Sequence, residues 1–423
     1  SASSENVAVN IGAAQIFVGQ SKTADPTDIS YNFVNGAGVY MNAGGENSEI
    51  KLGNVLIIAS GDCTSGIYVA NGRVTQDSDK KLVVITGAVV QYKIADAVVQ
   101  YKAGESEFRD IEKNYGVTVE NGVRSITDLI NEGRIVNKDV QYTYGVYGGG
   151  GTVTLGNVYA AVYGTNAAGI LTENAGSNIT VNGTLALRAE GPEGEDSDVT
   201  TRITVSGIST ESGDITLSKG ADIEVGYGLG ITARSGSVTF ASGTADEENS
   251  VNITTKDATA VYINNGTLTI GSDGNDGDHI TANIVSTIAK GTSWTTPPSG
   301  TQGNVTNQFD GVYVQGGSLM SYGTFNVTHK GVENDDQYNN NGATLYQTFV
   351  TKSFAVRVET STATNTKVEI RQGTIQSVVE GTGDSQTGGG GGLYVGYPAD
   401  STAGSAAVTL GRKLAENESA PTL

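Results

Sequence analysis

The 423-residue sequence predicts an all-β chain of stacked repeats, a parallel β-helix (solenoid), and three observations predict it. A degenerate unit recurs along the chain: a small residue, an aliphatic residue and Tyr, then a Gly- or Asn-rich turn, then a short Val/Leu–Thr run. The runs are short and rich in β-branched and aromatic residues, and they are separated by residues that tolerate positive φ. The hydrophobic share is 37% with 59 glycines, which suits a thin core better than a round one. Tandem β-sandwich domains are the alternative arrangement of the same runs.

The clearest unit is Ala260–Gly271, where Val261, Ile263, Leu268 and Ile270 are expected inside and Thr267 and Thr269 outside, around the turn Asn264-Asn265-Gly266. Taken alone, two runs around such a turn read as a hairpin. Copies begin at Gly38, Gly66, Gly145, Gly311 and Gly392, and looser ones at Gly169 and Gly230. Residues 1–36 precede the first clear copy and hold two strand-like runs. They are read as an N-terminal cap or an extended arm, because an open strand edge invites association.

Repeats occupy 37–411. Within them Ala88-Val89-Val90-Gln91-Tyr92-Lys93 recurs word for word at Ala97–Lys102, which predicts two neighbouring strands. The only helical pattern lies near 105–133, where Ser125 and Asp128 resemble a capping box before Leu129 and Ile130. The segments 190–198, 246–248 and 333–342 are polar and predict projecting loops. Residues 412–423 form a polar tail.

Charge narrows the functions. Lys and Arg number 25 against 45 Asp and Glu, a net charge of −20, which would repel nucleic acid and anionic lipid. No run of apolar residues approaches a membrane span, so the chain is not expected to insert in a membrane. A single cysteine, Cys63, cannot form an intramolecular disulfide and is read as a small turn residue.

Chemistry-bearing groups are sparse. Asp273, Asp276 and Asp278 put hard oxygen ligands close together and are the candidate Ca²⁺ ligands. Gly277 falls where a further ligand would be needed, so a solvated turn is the preferred reading. No other cofactor and no enzymatic activity is expected. Tyr40, Tyr68, Tyr147, Tyr262, Tyr313 and Tyr394 share one repeat position, which predicts a stacked column and, second to that, a contact surface.

The Gly-Val-Tyr units followed by Gly-Gly-x-Val-Thr-Leu-Gly runs, with loops inserted between them, resemble passenger domains of bacterial autotransporters, the pertactin-like β-helix adhesins. The resemblance covers most of Gly38–Gly411 and implies a right-handed coil and a secreted or cell-surface protein. The implied work is adhesion or self-association, with partners among glycans or proteins of a host or neighbouring cell. The full pattern also includes a C-terminal membrane barrel, which is not expected within these residues. Gly383-Asp384-Ser385 resembles the nucleophile motif of serine proteases found among passengers, but Gln386 stands where Gly is usual, so an Asp-Ser turn is preferred. The runner-up function is a structural subunit of an extracellular filament or surface layer, joined by subunit–subunit β contacts.

Overall fold

A computed structural model describes residues 6–18, 36–44, 47–59, 61, 63–87, 141–191, 205–256, 258–274, 279–288, 310–332, 354–360, 365–380, 391–396 and 405–411. The duplicated hexapeptide, the helical pattern near 105–133, the tail 412–423 and the Gly383-Asp384-Ser385 turn lie outside the described residues. Among the described residues the chain is all-β, with parallel strands in two sheets and no helix. It divides into two compact units, Ser1–Pro192 with Ser212–Ser218, and Glu193–Glu211 with Lys219–Leu423.

In unit 1 the strands begin with β1 (Ala8–Ile11), β2 (Ala14–Val18), β3 (Gly36–Asn42), β4 (Glu49–Leu52), β5 (Val55–Ala59) and β6 (Thr64–Asn71). They continue with β7 (Arg73–Gln76), β8 (Lys81–Thr86), β9 (Tyr144–Gly148), β10 (Thr152–Leu155), β11 (Asn157–Tyr163) and β12 (Ala168–Thr172). Then come β13 (Asn178–Val181) and β14 (Leu185–Glu190); β15 (Ser206–Thr210) belongs to unit 2, and β16 (Asp214–Leu217) returns to unit 1. Each strand pairs in parallel with the strand three places along, as β1 with β4, β5 with β8 and β6 with β9.

Unit 2 repeats that order through β17 (Ala221–Gly226), β18 (Leu229–Ala233), β19 (Ser237–Phe240), β20 (Asn249–Lys256), β21 (Val261–Asn264) and β22 (Thr267–Ile270). It goes on with β23 (Ile280–Ile288), β24 (Val312–Gln315), β25 (Ser318–Val332), β26 (Phe354–Glu359), β27 (Thr366–Glu380), β28 (Gly391–Gly396) and β29 (Ala406–Leu410). The long strands β25 and β27 each serve two ladders, with a register shift between Ser321 and Thr324 in β25. Parallel pairing at this spacing is not the antiparallel pairing of a sandwich.

The inside–outside alternation follows the sequence. Val261, Ile263, Leu268 and Ile270 are fully buried, while Thr267 and Thr269 are half-buried on the outer face. The two runs are not a hairpin, however. β21 pairs with β18 and β24 in one sheet, and β22 pairs with β19 and β25 in the other. Asn265, at φ 65°, turns the chain from one sheet to the other.

Register explains the small residue of the repeat. Gly38, Gly66, Gly145 and Gly169 fall at one ladder position, because Val39 pairs with Ile67, Ile67 with Val146 and Val146 with Ile170. A Cβ on Gly66 would lie 2.6 Å from the carbonyl oxygen of Gly145 and on top of the Val84 side chain of β8. In unit 2 a Cβ on Gly311 would lie 2.5 Å from Ala355 O and 2.7 Å from a Val327 methyl. The repeat therefore needs a minimal residue wherever an aliphatic side chain of the facing strand fills the corner.

Buried polar groups are met locally. Gln76, on an inward column with Leu52 and Leu155, donates to Gly53 O at 2.6 Å and accepts from Gly156 N at 3.1 Å. On the outer face of unit 2, Asn252, Asn283 and Asn326 form an amide ladder at 3.1 and 3.0 Å, which accepts Thr374 N at its end. Such ladders repeat the strand spacing in side-chain form and hold register.

Candidate functional site

The tyrosines of the repeat project from the outer face of the ladders containing β3, β6 and β9 in unit 1 and β21, β24 and β28 in unit 2. In unit 1, Tyr40 pairs with Tyr68 and Tyr68 with Tyr147 along the ladder, and the next position is Leu171 of β12. The Tyr68 and Tyr147 rings stack at 4.6 Å and 12°, and Tyr40 tilts onto Tyr68 at 5.3 Å and 49°. Tyr144 adds a fourth ring, 5.1 Å from Tyr147. Tyr40 is 54% exposed and Tyr68 and Tyr147 are half-buried, so the column reaches solvent.

Glu173, exposed at the start of the turn after β12, accepts the Tyr147 hydroxyl. Burial, then this carboxylate, raises the Tyr147 phenol well above its ordinary range; burial raises Tyr68 as well, with Tyr40 and Glu173 adding to it. Both phenols are therefore neutral donors near neutral pH. Glycine makes room for the column: a Cβ on Gly149 would lie 2.9 Å from the Tyr68 ring.

In unit 2 the column reads Thr232, Tyr262, Tyr313, Arg357, Tyr394. Tyr313 and Tyr394, consecutive copies in the sequence, are separated in space by β26. The Arg357 guanidinium lies over the Tyr313, Phe354 and Tyr394 rings, at 5.6, 5.0 and 5.7 Å from their centroids. Its Nε is 2.9 Å from Asp310 Oδ2, an ion pair by distance whose N–H is poorly aligned for a hydrogen bond, and Nη1 is 3.5 Å from Glu359 Oε1. Glu359 also accepts the Tyr313 hydroxyl at 2.6 Å, and Asp310 accepts Phe354 N at 2.7 Å. Asp310, Arg357 and Glu359 are all buried. Two carboxylates thus share one guanidinium away from water, and burial pushes Asp310 up to about 7 against the opposing pull of Arg357.

The sequence pattern did not reveal this cluster. Its only signal was a charged residue, Arg357, between the inward-facing Val356 and Val358.

The candidate Ca²⁺ residues are only partly described. Asp273 is ion-paired at 2.5 Å with Arg371, which also lies over the Tyr322 ring at 4.3 Å and pairs with Glu369 at 3.3 Å. Asp276 and Asp278 lie outside the described residues. Among the described residues no group of three His, Cys, Asp or Glu side chains could hold a metal ion. Cys63 is half-buried at φ 56°, at the corner entering β6.

His329 faces the core between Ser286 and Ser377, and burial lowers it to about 4. Asp310 and His329 give unit 2 opposed pH dependences. Asp310, raised above its unfolded value of 3.8, adds stability that is full below 3.8 and lost as pH rises through about 7. His329, lowered from 6.5, adds stability that is full above 6.5 and lost as pH falls through about 4. Asp310→Asn is therefore expected to make stability fall more steeply from pH 6.5 to 4 than in the parent, and His329→Leu to make it rise. Each slope difference approaches about 1.4 kcal/mol per pH unit. Urea unfolding across that range checks both signs.

No protein-family model, no curated protein and no solved structure matches this chain.

Proposed function

We propose that the chain is an extracellular bacterial surface protein, a right-handed parallel β-helix of the kind found in autotransporter passengers, acting in adhesion or self-association without enzymatic activity. The observation that supports this reading is the tyrosine column of unit 1, a row of neutral, partly exposed rings on a sheet face. Such rings offer rigid, amphipathic contact area at low entropic cost. A Ca²⁺ site at Asp273, Asp276 and Asp278 would have to compete with Arg371 for Asp273.

The second reading, a subunit of a filament or layer, is favoured by the outermost described strands. Val9, Val395 and Leu410 are 42, 49 and 42% exposed, although their ladder partners Ile50, Val358 and Ile370 are buried. Among the described residues these apolar columns end on side chains that reach solvent, which suits β contacts with another subunit. Light scattering and negative-stain imaging of the purified chain, with and without Ca²⁺, separate the two. Discrete single chains that bind cell-surface glycans or proteins support the adhesin, and unaided regular polymers sink it in favour of the filament.

A further inference from the structure

Unit 2 shows twice what its tyrosines and carboxylates hold. Arg357 lies among Tyr313, Phe354 and Tyr394 and is neutralised by Asp310 and Glu359. Arg371 lies over Tyr322 and is neutralised by Asp273 and Glu369. Guanidinium groups suit such sites because they are planar, weakly hydrated and able to stack and hydrogen-bond at once.

Unit 1 has the same arrangement without the arginine. Tyr147 donates to Glu173 as Tyr313 donates to Glu359. In each case the carboxylate lies two residues beyond the ladder partner of the tyrosine. That partner is Arg357 above Tyr313, but Leu171 above Tyr147. Among the described residues no cation lies over Tyr68 or Tyr147 or pairs with Glu173. Unlike Glu359, Glu173 is exposed, and the ring column beside it reaches solvent.

We propose that Tyr40, Tyr68, Tyr147 and Glu173 form a docking site for an arginine side chain presented by a partner protein. The guanidinium would lie on the ring column and pair with the Glu173 carboxylate, as Arg357 does internally in unit 2. Charge favours a cationic foreign protein over a second copy, since two chains of net charge −20 repel. The inference rests on the adhesive reading of this face and names the chemistry of its partner.

The test uses the full chain and two labelled peptides of equal length, alternating Gly with either Arg or Lys, in fluorescence anisotropy at physiological salt. The Arg peptide is expected to bind about tenfold tighter than the Lys peptide. Glu173→Gln and Tyr68→Ala should each erase that preference, while Asp222→Asn, an exposed acid of unit 2, should leave it unchanged. Leu171→Arg should place an internal guanidinium over Tyr147 and block the peptide while the unfolding midpoint is held or raised. Equal binding of the two peptides, or a preference that survives Glu173→Gln, overturns the site and leaves only general attraction to an acidic protein. Neutral glycans that bind through the same tyrosines with no arginine preference also overturn it, and so does self-association through them. Arginine-selective binding by a chain that fails to adhere to cells would remove the adhesive function and leave the site standing.

Discussion

Gly66→Val is expected to abolish folding of unit 1, with a cost above about 4 kcal/mol. A Cβ there would already lie 2.6 Å from Gly145 O and overlap the Val84 side chain. Two further methyl groups leave no rotamer that avoids both. The carbonyl belongs to a ladder strand and cannot move without breaking the pairing of β6 with β9. Gly66→Ala is expected to cost about 1–3 kcal/mol. Ala260→Gly, at a ladder position where the chain already accepts a methyl group, should cost only about 1 kcal/mol. Soluble yield and urea midpoints of the three variants check the order. A folded Gly66→Val protein of parental stability would show that the glycine column is not a packing constraint.

Arg357→Met carries the second large effect, a destabilisation of about 3–5 kcal/mol at pH 8. The substitution keeps most of the packing against Tyr313 and Tyr394 but leaves Asp310 and Glu359 buried without their shared cation. With the cation gone, the folded-state pKa of Asp310 rises further above 3.8, so the lost stability should return as the pH is lowered from 8 towards 5. The triple variant Asp310→Asn, Arg357→Met, Glu359→Gln should recover most of the loss at pH 8, because no charge is then stranded. Denaturation at pH 8 and pH 5 reads both results. An equal loss at the two pH values would assign the effect to packing rather than to buried charge.

Much of the local structure was legible in the residues themselves. The alternation in Val261, Ile263, Leu268 and Ile270 marked the inward positions, and all four are buried. The exposed acidic turn at 246–248 was equally plain. The looser copies at Gly169 and Gly230 proved to be genuine ladder positions that carry Leu171 and Thr232 in place of tyrosine. These features are readable because side-chain polarity and backbone tolerance act within a few residues.

By itself, the sequence determined that the chain is β-structured, repetitive and acidic, and which residues of each repeat face the core. Only the tertiary structure decided which strands meet. The turn at Asn265 carries the chain between sheets instead of closing a hairpin, since the partners of β21 and β22 come from other copies of the repeat. Insertions of unequal length hide that register from any reading along the chain. Tyr313 and Tyr394 therefore look like successive members of one column, although Arg357 lies between them. The same concealment applies to Asp310 and Arg357, 47 positions apart by their numbering and joined at 2.9 Å, and to Tyr147 and Glu173. Charge and aromatic clusters form where ladder register brings side chains together, and register is a property of the pairing, not of either strand alone.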